Sequence, residues 1–232
     1  MAKTIVASYH SFDEAQRVAR DLVDGGFDAS EVSVVASNVD GAFMSDDRIK
    51  VTDASNTTTG AVAGGVLGGA AGLAASLMGL AIPGLGPVIA AGPLAATMSV
   101  AGAGVIAGGL IGSLTDLGVP QADAEAYAEA VRRGGAIVTV RTEDAAIDNV
   151  VDVMRLHGAI DIDKRTAAWR ERGWSGFDAD AAPFSSDDVA RDRALHRDHA
   201  LDAAESSDLD VVPGRADPRD LRGHSPATED HR

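Results

Sequence analysis

The alternation of apolar and polar positions predicts the same structural unit twice along the chain. Residues 3–9 form an apolar, β-prone run, and a helix is predicted after Ser11, an N-cap hydroxyl with the Glu14 carboxylate three residues on in a capping-box arrangement. Apolar positions at helical spacing end at residues 25–26, which are glycines, and residues 32–36 are a second predicted strand. The first unit is therefore a strand, a helix and a strand.

The same order returns in the second half of the chain. Residues 136–140 are a predicted strand, Thr142 is a predicted N-cap for a helix through Met154, and residues 160–162 are a last short strand. Two such units most simply make an α+β ferredoxin-like sandwich, in which a four-stranded antiparallel sheet carries both helices on one face. A further helix is predicted over residues 120–133, ahead of the second unit.

This pattern divides the chain into four regions. Residues 1–53 hold the first unit, residues 54–118 a Gly/Ala-rich helical hairpin, residues 119–165 a helix and the second unit, and residues 166–232 an acidic tail. The tail is predicted to be helical over residues 185–204 and otherwise mostly disordered, because it is polar. Its aromatic residues are candidate anchors on the domain or on a membrane surface: Trp169, Trp174, Phe177 and Phe184.

The centre of the chain has no charged residue between Asp53 and Asp116, and residues 60–118 hold 16 of the 26 glycines. Glycines recur every fourth residue on each side of a break at residues 83–87, whose sequence is Pro-Gly-Leu-Gly-Pro. Each series places a groove without side chains along one helix face, where another backbone can approach closely. We therefore predict a helix-packing interface formed by Gly60, Gly64, Gly68, Gly72, Gly104, Gly108 and Gly112.

Two environments for these helices agree with the pattern. Residues 61–82 and 93–114 each have about the 20 residues that a membrane span requires. Against insertion, the segment is rich in Ala and Gly rather than Leu, lacks Trp and Tyr, and is flanked by acidic regions. We expect the zippers either to insert in lipid, which is the preferred alternative, or to pack between the subunits of a soluble oligomer.

Charge and composition exclude several classes of function. The net charge of −15 repels a phosphate backbone, so nucleic acid is not an expected partner. The chain has no cysteine, which excludes a thiolate metal site and a cysteine nucleophile. His196 and His199 can share a helical face with Asp192 and Asp198, but such pairs arise by chance on a charged helix, and no metal site is expected. Because the sequence holds no catalytic constellation, we expect a non-enzymatic protein without a cofactor.

Three stretches together resemble a known family. They are the start with residues 5–8 and 12–15, the insert with residues 82–87, and residues 125–135, whose sequence is Glu-Ala-Tyr-Ala-Glu-Ala-Val-Arg-Arg-Gly-Gly. Over about residues 3–165 the chain is similar to bacterial general stress proteins with the heat-induced stress protein YflT-type domain, here with a glycine-zipper insertion. The resemblance implies a stress-linked role and supplies no catalytic motif.

The leading functional hypothesis is a structural or membrane-associated stress protein that self-assembles through its zippers. Its α/β domain is expected in the cytoplasm and at the inner membrane through residues 61–114, with membrane lipid and further copies of the chain as partners. The alternative is a soluble oligomeric regulatory or binding module whose ferredoxin-like sheet recognises a ligand or a partner.

Overall fold

The protein combines an antiparallel sheet with helices, and a computed structural model describes residues 2–41, 77–82, 84–100, 108–200 and 210–212. The strands are β1 (Ala2–Tyr9), β2 (Val32–Ser37), β3 (Met78–Ile82), β4 (Gly86–Ala91), β5 (Ala136–Glu143) and β6 (Asp210–Val212). The helices are α1 (Phe12–Asp24), α2 (Pro93–Val100), α3 (Gly108–Asp116), α4 (Gln121–Arg132), α5 (Ile147–Leu156), α6 (Ile162–Glu171) and α7 (Ser186–Ala200). Short 3-10 turns at Ala29–Glu31 and Asp144–Ala146 precede β2 and α5.

All strand pairs in the sheet are antiparallel, in the order β3-β4-β2-β5-β1-β6. The longest pair is β1 with β5, whose register runs from Ala2 opposite Glu143 to Tyr9 opposite Ala136. On the other side of β5 lies β2, and β2 pairs in turn with β4. The two predicted units therefore share one sheet, and the insert between them lengthens it by two strands.

The central strands are buried on both faces, so their sequence does not alternate between apolar and polar residues. Val6, Val35 and Ile137 point into one core, whereas Ile5, Val34 and Val138 point into the other. The second core is covered by α1 and α5, the helices of the two predicted units. The first core is covered by α2, α3, α4 and α6.

Local signals in the first unit have the predicted effect. Ser11 is the N-cap of α1, and its Oγ accepts a hydrogen bond from the Glu14 amide at 3.3 Å. The Glu14 Oε2 accepts one at 2.9 Å from the amide of His10, the residue before the N-cap, so only the Ser11 half of the predicted capping box forms as expected. The prediction of a capped helix between two strands is confirmed, and α4 likewise lies where a helix after Pro120 is predicted.

The helical hairpin predicted for residues 54–118 is wrong at residues 78–91, whereas residues 93–100 and 108–116 are helical, as predicted. Met78–Ile82, predicted as the end of a first helix, and Gly86–Ala91, predicted as a loop, are strands that pair with each other. The Gly84 and Gly86 backbones at φ of +76° and +89° form the tight turn between them. Residues 54–76 and 101–107, with Gly60, Gly64, Gly68, Gly72 and Gly104, lie outside the described residues.

The second half of the insert is held against the sheet. Pro93 opens α2, and the next amide, that of Leu94, donates to the Ser33 hydroxyl of β2 at 3.1 Å. Thr97 of α2 donates to Ser113 of α3 at 3.0 Å, so the two helices contact each other as well as the sheet. Among the residues that the structure describes, no helix combines the length and the hydropathy that a membrane span requires.

Two predictions near the end of the second unit are also corrected. Thr142 is not an N-cap, because β5 continues to Glu143 opposite Ala2. Ile160 makes only a single bridge to Ser8 rather than a strand. Asp161 ends that bridge because its carboxylate accepts the Lys164 amide at 3.0 Å and so caps α6.

The predicted start of the tail at residue 166 lies inside α6. Residues 166–200 are not mostly irregular, since α6 and α7 account for much of this stretch and Trp169 is completely buried. The helix predicted near residue 185 is confirmed as α7, with Ser185 accepting the Asp188 amide at 3.2 Å. Residues 201–209 and 213–232 lie outside the described part.

The turn into α2 depends on the absence of a side chain at Gly92. Its φ is +82°, and a Cβ built there would lie 2.2 Å from the Val32 carbonyl oxygen of β2. We expect Gly92→Ala to lower the free energy of unfolding by at least about 3 kcal/mol, because it adds a collision with a strand backbone to a strained dihedral. Urea unfolding followed by circular dichroism measures the loss.

Gly158→Ala is the matched control for this substitution. Gly158 has a similar φ of +76°, but a Cβ there would meet no described atom within 4 Å. Its expected loss is about 1 to 2 kcal/mol, the cost of the left-handed conformation alone. Equal losses for the two variants would contradict the assigned role of Gly92.

Candidate functional site

The end of α4 carries a buried ion-pair network. Glu129 is completely buried, and its two carboxylate oxygens lie 2.6 Å from Arg133 Nε and 2.9 Å from Arg132 Nε. The spacing of three and four residues on one helix places all three side chains on the same face. One carboxylate therefore holds two guanidinium groups beneath the surface.

Residues of α6 and α7, which are distant from α4 in the sequence, add further charges to the network. Asp192 of α7 is buried, and its Oδ1 accepts a hydrogen bond from Arg133 Nη1 at 2.9 Å. Its Oδ2 lies 3.9 Å from Nη2 of Arg165, which belongs to α6. Arg193 donates from Nη2 to the Gly134 carbonyl at 2.8 Å. We call these six side chains the arginine cluster: Glu129, Arg132, Arg133, Arg165, Asp192 and Arg193.

Aromatic rings pack on the guanidinium groups of the cluster. Arg133 lies 4.8 Å from the ring centroid of Trp169 and 5.1 Å from that of Phe184. Arg132 lies 5.3 Å from Phe184 and 5.7 Å from Phe177. Such contacts stabilise a desolvated cation by about 2 kcal/mol. The four aromatic residues named in the sequence analysis thus belong to this site, Trp174 through an edge-to-face contact with Trp169 at 5.8 Å.

Residues 177–193, which we call the strap, cross the protein over glycines. A Cβ at Gly84 would lie 2.7 Å from the Ala179 carbonyl oxygen, and one at Gly86 would lie 2.9 Å from Pro183 Cβ. At Gly134 a Cβ would lie 2.2 Å from Val189 Cγ1. The strap therefore contacts both the β3–β4 turn and the end of α4 at distances that only glycine permits.

The charges of the cluster do not cancel, because four guanidinium groups face two carboxylates. Burial lowers the pKa of Arg165 to about 10, an effect that Asp192 opposes and that the positive charges of Arg133 and Arg193 reinforce. Arg165 remains charged at neutral pH. The guanidinium groups of the cluster bind carboxylates and aromatic rings.

Two of the glycines predicted as a helix-packing interface are described, and both lie on α3 rather than in this cluster. Gly108 begins α3, and Gly112 lies on the same helix, partly exposed. A Cβ at Gly112, or at the neighbouring Gly109, would meet no described atom within 4 Å. Among the residues described, Gly109 and Gly112 therefore make no close backbone contact within this chain.

The cluster was missed because its residues are distant in sequence. The one local signal was the spacing of Glu129, Arg132 and Arg133 on a predicted helix, which is also common on exposed helices. Asp192, considered with two histidines as a metal ligand, pairs with Arg133 instead. Over the described ranges, no three His, Asp or Glu side chains are grouped as a metal site would need.

Glu129→Gln tests the energetic role of the central carboxylate. The substitution keeps the shape of the side chain but leaves two buried guanidinium groups with less opposite charge. We expect a loss of about 3 to 5 kcal/mol in the free energy of unfolding, as for other broken buried ion pairs. Urea unfolding followed by tryptophan fluorescence reports it, because both tryptophans of the chain lie at this site.

The control removes a carboxylate from an exposed ion pair. Asp144 lies 3.3 Å from Lys3 Nζ, and its side chain is 57% exposed. Asp144→Asn is expected to change the free energy of unfolding by less than about 1 kcal/mol. A similarly small effect of Glu129→Gln would show that the cluster does not hold this end of the fold.

Comparison with known proteins bears on the first half of the fold. The family model described as the heat induced stress protein YflT domain matches residues 4–83. No curated protein and no solved structure matches the chain. The matched stretch begins in β1, includes α1, β2 and β3, and ends at the β3–β4 turn. The resemblance to the heat induced stress protein YflT family is thereby confirmed over residues 4–83, and the glycine-zipper insertion stays a prediction.

Proposed function

We propose that this chain is a non-enzymatic general stress-response protein that self-associates through the glycine-rich surface of α3. The YflT domain supports the stress-response role. The observation that carries self-association is the orientation of α3. Leu110 and Leu114 are completely buried in the core, whereas a Cβ at Gly109 or Gly112 would meet open space within the described part of the chain.

Glycine at these positions is costly unless something approaches it. Each glycine in an exposed helix costs about 1 kcal/mol relative to alanine. No close contact inside the described chain requires Gly109 or Gly112. A second copy whose backbone packs against this face would require them, because a methyl group would hold the two helices apart.

Lipid is the alternative partner for the glycine-rich insert. Leu94 and Met98 of α2 and Leu110 of α3 are buried against the sheet, so the second predicted span uses its apolar residues within the domain. This favours protein over lipid as the environment of α2 and α3. In the membrane alternative, residues 61–76 would hold a cytoplasmic domain at the inner membrane.

We further propose that the two units form a ferredoxin-like core. In such a core the last strand lies beside the first, and both unit helices lie on one face. The neighbouring strands β2, β5 and β1, the bridge from Ile160 to Ser8, and the shared packing of α1 and α5 support this assignment. The strands β3 and β4 then extend that core.

Replacing Gly109 and Gly112 together by alanine should change the stability of the chain and its self-association in opposite directions. Each methyl group should stabilise α3 by up to about 1 kcal/mol, because nothing in the described chain obstructs it. The same groups should weaken packing between copies, so the mass in sedimentation equilibrium should fall while the melting temperature of the dissociated chain rises.

The control is Asp152→Ala on α5, which is exposed on the opposite side of the sheet. It should leave the mass unchanged. The proposal fails if the glycine variant keeps the wild-type mass, or if the wild-type chain is a monomer throughout. Flotation with vesicles by the wild-type chain, lost on removal of residues 60–76, would instead support the lipid alternative.

A further inference from the structure

We propose that the surface beneath the strap is a peptide-binding groove that can also bind the strap of a second copy of this chain. The groove is formed by α4, α6 and the β3–β4 turn. In the structure its occupant is the chain's own strap, residues 177–193. This inference goes beyond the self-association proposed above and does not depend on α3.

The strap contacts the groove through separate anchors, as a bound peptide does. Phe184 packs on the guanidinium groups of Arg132 and Arg133 at 5.3 and 5.1 Å. Val189, which is 1% exposed, fills the space that a side chain at Gly134 would occupy. Asp192 pairs with Arg133 at 2.9 Å. An aromatic, an aliphatic and an acidic anchor therefore follow one another along the segment.

The groove lacks side chains where the strap backbone crosses it. At Gly84 the nearest strap atoms to a built Cβ are backbone atoms of Ala179, at 2.7 and 2.9 Å. At Gly86 the nearest atom is Pro183 Cβ at 2.9 Å. Close passage of a backbone over glycines is a feature of surfaces that receive an extended segment.

Charge complementarity identifies the strap as the ligand. Without the strap, the groove presents Arg132, Arg133 and Arg165 against the single carboxylate of Glu129. The strap carries five aspartates and two arginines, so it is acidic overall. A second copy supplies the same sequence of anchors, whereas an unrelated acidic segment would have to reproduce them.

A short connection with two glycines joins the strap to the domain. The Trp174 amide donates to the Trp169 carbonyl at 3.0 Å, so the chain is fixed to α6 up to that residue. Gly173 and Gly176 have φ of +93° and +151°, and the strap begins at residue 177. Rotation about the few backbone bonds of residues 173–176 would redirect the strap to another copy, the geometry that permits exchange of a segment between subunits.

A disulfide between two chains tests the exchange directly. The protein has no cysteine, and a Cβ at position 86 would lie 2.9 Å from Pro183 Cβ. A shift of the strap by under about 1 Å therefore reaches the Cβ separation of about 3.5 to 4.5 Å that a disulfide requires. One full-length chain carries only Gly86→Cys and the other only Pro183→Cys. After mixing, warming below the unfolding midpoint and oxidation, we expect a covalent dimer on a non-reducing gel that contains both chains.

Two further variants test the position of the strap and its release from the groove. The single chain with both substitutions should form an internal disulfide, which verifies that the strap lies over the turn. Asp192→Asn in both partners should raise the rate of dimer formation about tenfold, because the strap then releases more easily from Arg133.

A covalent dimer that appears only with both cysteines present and is accelerated by Asp192→Asn would support the proposal. An internal disulfide in the double variant, with no mixed dimer even in the Asp192→Asn partners, would overturn it.

Discussion

The structure depends on a sheet whose central strands are apolar on both faces. Successive residues of β1, β2 and β5 are buried, so neither face can be left to solvent without exposing a large apolar area. Helices α1 and α5 cover one face. The other face is covered by α4, the insert and the chain after residue 160, so the last two are part of the domain rather than appendages.

Charged residues are buried on the face of the sheet that α2, α3, α4 and α6 cover. Glu129 neutralises part of the charge on Arg132 and Arg133, and the aromatic rings of residues 169–184 replace water around the guanidinium groups. Removing a single partner from such a network leaves an ion buried without compensation. The strap is therefore held by electrostatics as well as by packing, and its acidic composition suits a basic groove.

The sequence predicted the positions of helices and strands correctly where polar residues interrupt the apolar pattern. The Ser11 hydroxyl and the Glu14 carboxylate located α1, and the turn before β5 located the second unit. It failed at Met78–Ile82, because an uncharged stretch contains no polar alternation that separates a strand from a helix. It also failed for the arginine cluster, since pairing between Arg133 and Asp192 joins residues that only the folded chain brings together. Trp169 was predicted to be an anchor, but its complete burial depends on contacts with Arg133, Arg165 and Trp174 that the folded chain brings together.

Acrylamide quenching of a single tryptophan tests the claim that the chain after α6 completes the domain. Trp174→Phe leaves Trp169 as the only tryptophan in the protein. Because Trp169 is completely buried among Arg133, Arg165 and Trp174, its quenching constant in the native full-length chain should be far below that of free N-acetyltryptophanamide and should rise to that value in urea. A native quenching constant equal to that of the unfolded chain would contradict the account.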